Sequence, residues 1–518
     1  MKTLSKKIWT ILLILPLIFV SCNNQHEKST QTLRLNFHEG DVPSLHPHFL
    51  EGHIRGRALG KALFEGLTRI NSEGEAECAG AESVEISPSK TQYTFLLRDH
   101  KWSDGSKVTA FQYEKAWKQA IAPSSDCVWA DLFYSIKGAE DAKRGILPLS
   151  EVGIQALDEK TLSIELAFPA PYFLKLIASS LFAPVTRDET EPTRFNGPFK
   201  VGKWTRGSLL VLKANPFFWD HEKVSLREIE IQMVEDPHTS FLMYEKQAID
   251  WTGNPFCRLS SEMAFQLQEK GELKNKSAAR ALWIYINTSL PHLASSKIRQ
   301  ALSLSIDRSL ISEHIYPGNP PLYQPLPFSL SLYPNLFSDD NLLEAKKLFE
   351  EGLKEIKLDR RAFPPLTLSY HFTAGRKPLA EYLKETWEKA FGIQILLKGA
   401  EWNVFRTDVE KGDFQMGMYG ISALYPDPSE LLERFGSIKI ANFSQWEHPM
   451  YQEKLNLAKN LPDQRTQYLR EAEELLFEQT PVIPICNFNA LYAHNPKLKG
   501  FVFDHNGCVD FRWAYFED

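Results

Sequence analysis

Covalent catalysis or metal chemistry leaves recognisable residue spacings, and here they are missing: no GxSxG elbow, no HExxH, no phosphate-cradling P-loop and no GxGxxG. Fourteen histidines are scattered without a clear ligand pattern. His46 and His48 stand two apart, so in extended chain they point the same way and could grip a metal; the plainer reading is a pair of loop histidines. Catalytic triads need no adjacency in sequence, which keeps a hydrolase as a minor alternative. Beyond Cys22, the cysteines are Cys78, Cys127, Cys257, Cys486 and Cys508, an odd set without a CxxC pair. At least one of them is therefore unpaired, and neither a metal site nor a cofactor is expected. Aromatics make up 12% of the chain, with 12 Trp and 33 Phe, which fits a ligand cavity but could equally be absorbed by core packing.

The N-terminus sets the compartment. Lys2, Lys6 and Lys7 precede the apolar run Ile8 to Val20, the order of a secretory signal peptide. Thirteen residues are too few to span a bilayer core of about 30 Å at about 1.5 Å per residue. Phe19-Val20-Ser21-Cys22 resembles the lipobox of bacterial lipoproteins, with Phe19 where leucine is usual, so Cys22 is expected to be acylated after removal of residues 1–21. Ordinary signal-peptidase cleavage is the alternative, and either route exports the chain to the periplasm or cell envelope. No later stretch offers 18 consecutive apolar residues, so a lipid would be the attachment to the membrane. With 59 basic against 65 acidic residues the net charge is −6, which gives no global cationic field for nucleic acid.

The 518 residues predict three to five packing units at about 100–200 residues each. A hydrophobic share of 43% and a charged share of 24% exclude collagen-like, coiled-coil and mostly disordered chains. Period-two alternation predicts strands at Thr32–Phe37, Tyr93–Leu97, Thr161–Leu166, Leu209–Leu212, Glu228–Met233, Leu282–Ile286, Leu366–Tyr370 and Ile393–Leu397. Apolar residues at three- and four-residue steps predict helices at Ala110–Ala120, Lys297–Leu304, Asn341–Gly352, Leu379–Phe391 and Arg465–Glu478. Gly352 and Gly392 are placed as helix C-terminal glycines, and Thr109 as an N-cap. The proline-rich run Pro317 to Pro334 reads as a long irregular loop over a surface or between lobes. The fold class is α/β, in a mixed α+β arrangement.

Several blocks, in order, resemble the extracytoplasmic solute-binding proteins of peptide-type ABC transporters, closest to the oligopeptide-binding branch. They are Ser44-Leu45-His46-Pro47-His48, Leu63-Phe64-Glu65-Gly66-Leu67, Tyr93 to Arg98 running into Lys101-Trp102-Ser103-Asp104-Gly105, Asn196-Gly197-Pro198-Phe199, Asn215 to Trp219, Ile298 to Leu302 and Asp427-Pro428. Physically these blocks are turns and helix starts, so they identify the scaffold and need not touch ligand. The resemblance implies two hinged lobes of the periplasmic-binding-protein fold (type II-like) closing on a buried ligand, with an extra domain inserted. Lobe I would comprise 22–63, 188–279 and 488–518, the extra domain 64–187 and lobe II 280–487. It further implies a monomer that carries out no reaction, takes an oligopeptide and presents it to an ABC transporter permease.

Carried over residue by residue, the resemblance places Glu51, Gly52 and His53 on one side of the peptide and Gly420, Ile421, Ser422, Ala423 and Leu424 on the other. Trp402 would be an aromatic pocket wall, Trp129 a further wall and Asn254 a polar lining residue. Such a groove pairs with peptide main chain and is blind to side chains. The departures matter more. Leu424 stands where relatives hold the peptide ammonium with an aspartate, and Val409 and Met418 replace two carboxylate-pairing arginines. A cysteine pair of relatives falls on Arg280 and Ser422. Arg376, at the position of a carboxylate-pairing histidine, is the best anionic anchor. Relaxed recognition of peptide ends is therefore expected, Glu51 being one substitute anchor. The alternatives are a binder of murein peptide, nickel chelate or haem on the same scaffold, and a surface adhesin that has lost transport.

Overall fold

The computed structural model describes residues 31–518 apart from 53, 187–191, 334–340, 374 and 437–441; the leader with Cys22, and His53, lie outside the described residues. Alternation of apolar residues builds three main sheets. In the first lobe Thr32–Asn36 runs parallel to Glu228–Gln232, followed by antiparallel Leu209–Ala214 and Phe199–Thr205. Leu33, Leu35, Ile229, Ile231, Leu210 and Leu212 bury one face of it. A separate antiparallel sheet, Ala81–Ile86, Gln92–Leu97, Thr161–Glu165 and Ile154–Ala156, packs on the helix Ala110–Ala120 around Phe95, Trp117, Leu162 and Phe182. Thr109 caps that helix, and its N–H donates to the Gln112 side chain at 3.0 Å.

The second lobe holds a five-stranded mixed sheet ordered Ile395–Ala400, Leu366–His371, Met416–Ser422, Arg280–Ile286, Val482–Asn487. Its middle strands are apolar on both faces: Leu282, Ile284 and Ile286 enter one core, Ala281, Trp283 and Tyr285 the other. The chain passes between lobes twice, side by side, because Lys274–Lys276 pairs antiparallel with Ala490–Tyr492. The bridge continues as the Asn487 amide donates to the Ala278 carbonyl (3.2 Å) and the Phe488 N–H to the Arg280 carbonyl (2.9 Å). The lobes also touch across the cleft. The Tyr172 ring stacks on Tyr425 at 4.3 Å, and the Asn506 amide donates to the Ala423 carbonyl at 2.6 Å.

The predicted elements are present with ends moved by no more than three residues. Three expectations are corrected. His46 and His48 are not in extended chain: Pro47–Leu50 is a helical turn, and the His46 Nδ1 accepts from the His48 N–H at 3.2 Å as its cap. Among the described residues no group of three or more metal-ligating side chains is gathered. The Pro317 to Pro334 run is irregular, but it packs inward, with Leu322, Leu326 and Leu330 in the second-lobe core.

Gly352 does not end its helix, which runs Leu342–Glu355; Gly392 does end one, with φ 65°. A Cβ at Gly352 would lie 2.6 Å from Ile298 Cγ1 and 3.0 Å from the Ile298 backbone nitrogen. Glycine is therefore kept for the close approach of the helices Leu342–Glu355 and Ser296–Leu304. Gly352→Ala is expected to lose about 1–3 kcal/mol to overpacking, more than the roughly 1 kcal/mol of helix propensity it gains, so the urea midpoint should fall.

Candidate functional site

The second-lobe sheet splits at its centre. Leu366–His371 pairs with Ile395–Ala400 along its whole length, but with Met416–Ser422 only at Leu368↔Met416 and Ser369↔Gly417. Beyond Gly417 the two strands part, and one edge of Met418 to Ser422 has no strand partner among the described residues. The other edge is fully paired to Arg280–Ile286. Because the Ala423 N–H donates to the Ala279 carbonyl at 2.9 Å, alternation makes 423/279, 421/281 and 419/283 the hydrogen-bonded pairs. Gly420 and Ser422 therefore turn their backbone groups outward. The Ser422 carbonyl is taken by Arg434 at 3.1 Å, which leaves the Gly420 N–H and C=O facing the wedge.

Around this edge the residues expected in the groove are partly gathered. Arg376, first residue of the helix Arg376–Phe391, brings Nη2 to 3.3 Å from where a Gly420 Cβ would be. Its guanidinium lies 5.5 Å from the Phe488 ring centre. Trp402 is half-exposed and packs against His371 and Tyr419, at 5.0 and 5.6 Å. Gly52 and Trp129 meet on the opposite wall, Trp129 Nε1 lying 3.9 Å from the position of a Gly52 Cβ and having no hydrogen-bond partner. Glu51 is buried and already engaged: Arg57 Nε is 3.0 Å from Oε1 and the Ser179 hydroxyl 2.8 Å from Oε2. Asn254 serves the fold, its N–H donating to the Leu491 carbonyl (2.8 Å) and its carbonyl accepting from Trp251 Nε1 (2.8 Å). Ile421 and Ala423 point into the second-lobe core, and Leu424 packs against the core of the sheet that contains Gln92–Leu97.

The electrostatics are lopsided. The carboxylate near Leu424 is Glu430, whose Oε1 pairs with Arg434 at 2.6 Å while its Oε2 is buried without a hydrogen-bond partner. On the cationic side Arg280 opens its strand and feels Arg57 and Arg258 of the first lobe, while Arg376 opens its helix. Burial, with Arg376 and Arg258 adding, holds the His371 imidazole down to about 4. His505 is likewise held to about 4 by burial, with Arg57 and Lys61 lowering it further against Asp504. Two small pockets, each of about 10 Å³, lie elsewhere, one beside His46 and Trp102 and one beside Glu65 and Arg512.

Residues 76–443 match the family described as bacterial extracellular solute-binding proteins, family 5, middle region. The chain belongs to family 5 of the bacterial extracellular solute-binding proteins. It is 32% identical to the oligopeptide-binding protein OppA of Bacillus subtilis (strain 168), over 99% of this chain and all of the relative. Among solved structures, the substrate-binding domain of an oligopeptide ABC transporter from Bacillus anthracis is 26% identical with a TM-score of 0.76, covering 95% of this chain and 99% of the other. The unliganded open form of the periplasmic murein tripeptide binding protein MppA has a TM-score of 0.78 at 25% identity, covering 94% and 98%. The two-lobed fold is thus that of the family 5 proteins.

Against this family frame two features stand out. Arg280 and Ser422 are direct cross-strand partners, so the cysteine pair implied by resemblance is replaced, in register, by a cation and a hydroxyl. The five cysteines among the described residues are all free. Arg280 carries no signal in the sequence beyond that replacement; its burial emerges only once the hinge is folded. His371 is expected to titrate near pH 4 by NMR and to move upward in Arg376→Met, since a neighbouring cation is removed. Unfolded histidine binds its proton near pH 6.5, so wild type should lose stability relative to His371→Gln as pH falls from about 6.5 to 4.

Proposed function

We propose that this family 5 protein captures oligopeptides in the cleft between its lobes and delivers them to an ABC transporter permease. The observation that carries the reading is the open edge at Gly420: its N–H and C=O face the wedge with no strand partner among the described residues, and an extended peptide would supply one as an added strand. The relatives named as oligopeptide-binding proteins point the same way. The ligand would lie between Glu51-Gly52-His53 with Trp129 on one side and Gly420 to Leu424 with Arg376 and Trp402 on the other. Asn254 would act through the hinge. The lobes would follow the boundaries expected from the sequence, 22–63, 188–279 and 488–518 against 280–487, with 64–187 as the added domain.

Capture would proceed by hinge opening at the paired crossings, entry, and closure, which excludes water and strengthens each polar contact. Cys22 would carry the lipid that keeps the protein beside its permease; Cys22→Ser is expected to abolish incorporation of labelled palmitate. The α-ammonium of the peptide has no dedicated carboxylate here, with Leu424 in place and Glu430 and Glu51 already paired. Calorimetry with free and N-acetylated forms of one oligopeptide is therefore expected to give affinities within about threefold. A loss of about a hundredfold on acetylation, the size expected for stranding a buried charge, would contradict backbone-dominated binding.

A further inference from the structure

Two guanidinium groups inside the cleft have no counter-charge. Arg280 opens its strand at the hinge, and its Nη1 is buried without a hydrogen-bond partner. Arg376 is 6% exposed, and its Nη1 is equally unpartnered. Among the described residues neither arginine has an ion pair. The charges acting on Arg280 are two further cations, Arg57 and Arg258, and these already hold carboxylates of their own: Arg57 pairs with Glu51 at 3.0 Å and Arg258 with Glu39 at 2.8 Å.

The two groups lie over the same face of the sheet. Arg280 is the cross-strand partner of Ser422, and Gly420 lies two residues along on the same face. The Arg376 guanidinium rests over Gly420, beside Phe488, whose N–H binds the Arg280 carbonyl. Arg376 also begins a sixteen-residue helix, whose N-terminal dipole adds positive potential at the same spot. Burial, reinforced by Arg57 and Arg258, lowers Arg280 to about 10, which still leaves it charged at neutral pH. The cleft thus holds two guanidinium groups each with a buried, unpartnered Nη1, and a ligand bearing one terminal carboxylate would satisfy only one of them.

We propose that Arg280 and Arg376 form a two-pronged anion site beside Gly420 and that the preferred ligands are acidic oligopeptides, one carboxylate meeting each guanidinium. The planar guanidinium fork suits a carboxylate better than a point charge would. This preference rests on the peptide reading, so the test separates the two. Pentapeptides of alanine carrying a single Glu, Gln or Lys at each position in turn are titrated calorimetrically into the ligand-free full-length protein.

At one position or more, Glu is expected to bind at least about tenfold tighter than its isostere Gln, and Lys weaker than Gln. Arg280→Gln should erase that difference while leaving the Gln peptide within about threefold, because only the second anion loses its partner. Arg280→Lys, which keeps the charge without the fork, should retain part of it. Glu and Gln peptides within twofold at every position in wild type, or a preference that survives Arg280→Gln, would overturn the acidic specificity while leaving peptide capture intact. If no pentapeptide binds, the peptide reading itself falls.

Discussion

An unpaired strand edge is the constraint around which the second lobe is arranged. Backbone N–H and C=O groups are obligatory hydrogen-bonding groups, and the central strand Met416–Ser422 has strand partners on one side only once its neighbour Leu366–His371 has veered off with Ile395–Ala400. The wedge this creates has a floor of main chain at Gly420, where the absence of a side chain lets both the Arg376 guanidinium and a guest backbone come close. The rest of the molecule serves that wedge. The first lobe brings Gly52 and the partnerless Trp129 indole to its far side, and the two adjacent chain crossings confine relative motion of the lobes to a hinge at its end.

Charge then decides what the wedge can hold. Three carboxylates near the cleft are already committed: Glu51 to Arg57, Glu39 to Arg258, Glu430 to Arg434. Two guanidinium groups are not. On the proposed reading, such a site would favour ligands by net charge and length of backbone more than by their amino terminus. His371 and His505, both kept neutral by burial and by the surrounding arginines and lysine, are a second sign of the same positive potential.

Much of the fold is legible in the sequence because local signals and tertiary context agree. Ala110–Ala120 begins and ends where its periodicity and Thr109 place it, and the strand Leu366–His371 departs by one residue. Gly352 looks like a helix terminator, but a contact with Ile298 overrides that local signal and makes it a spacer. His46 and His48 form a helical turn, with His46 as its cap, in place of the plainer loop reading. At the site, Arg376 and Gly420 come together as the resemblance implies, whereas Glu51 is held by Arg57 and Ser179 and Asn254 by Trp251 and Leu491. Arg280 was unreadable for the same reason: in sequence it is one basic residue before an apolar strand, and only the pairing with Ser422 and the facing first-lobe arginines make it a buried, uncompensated charge.

The tyrosine pair at the mouth of the cleft bears on kinetics. Tyr172 and Tyr425 lie face to face, with Tyr425 almost wholly enclosed, so separating the lobes wets two aromatic surfaces at once. An empty molecule then spends only part of its time ajar, and the apparent affinity for any guest is lowered in proportion to that fraction. Loosening the stack would hasten loading and shorten residence together, which makes this distant contact a dial on how long cargo waits for its permease.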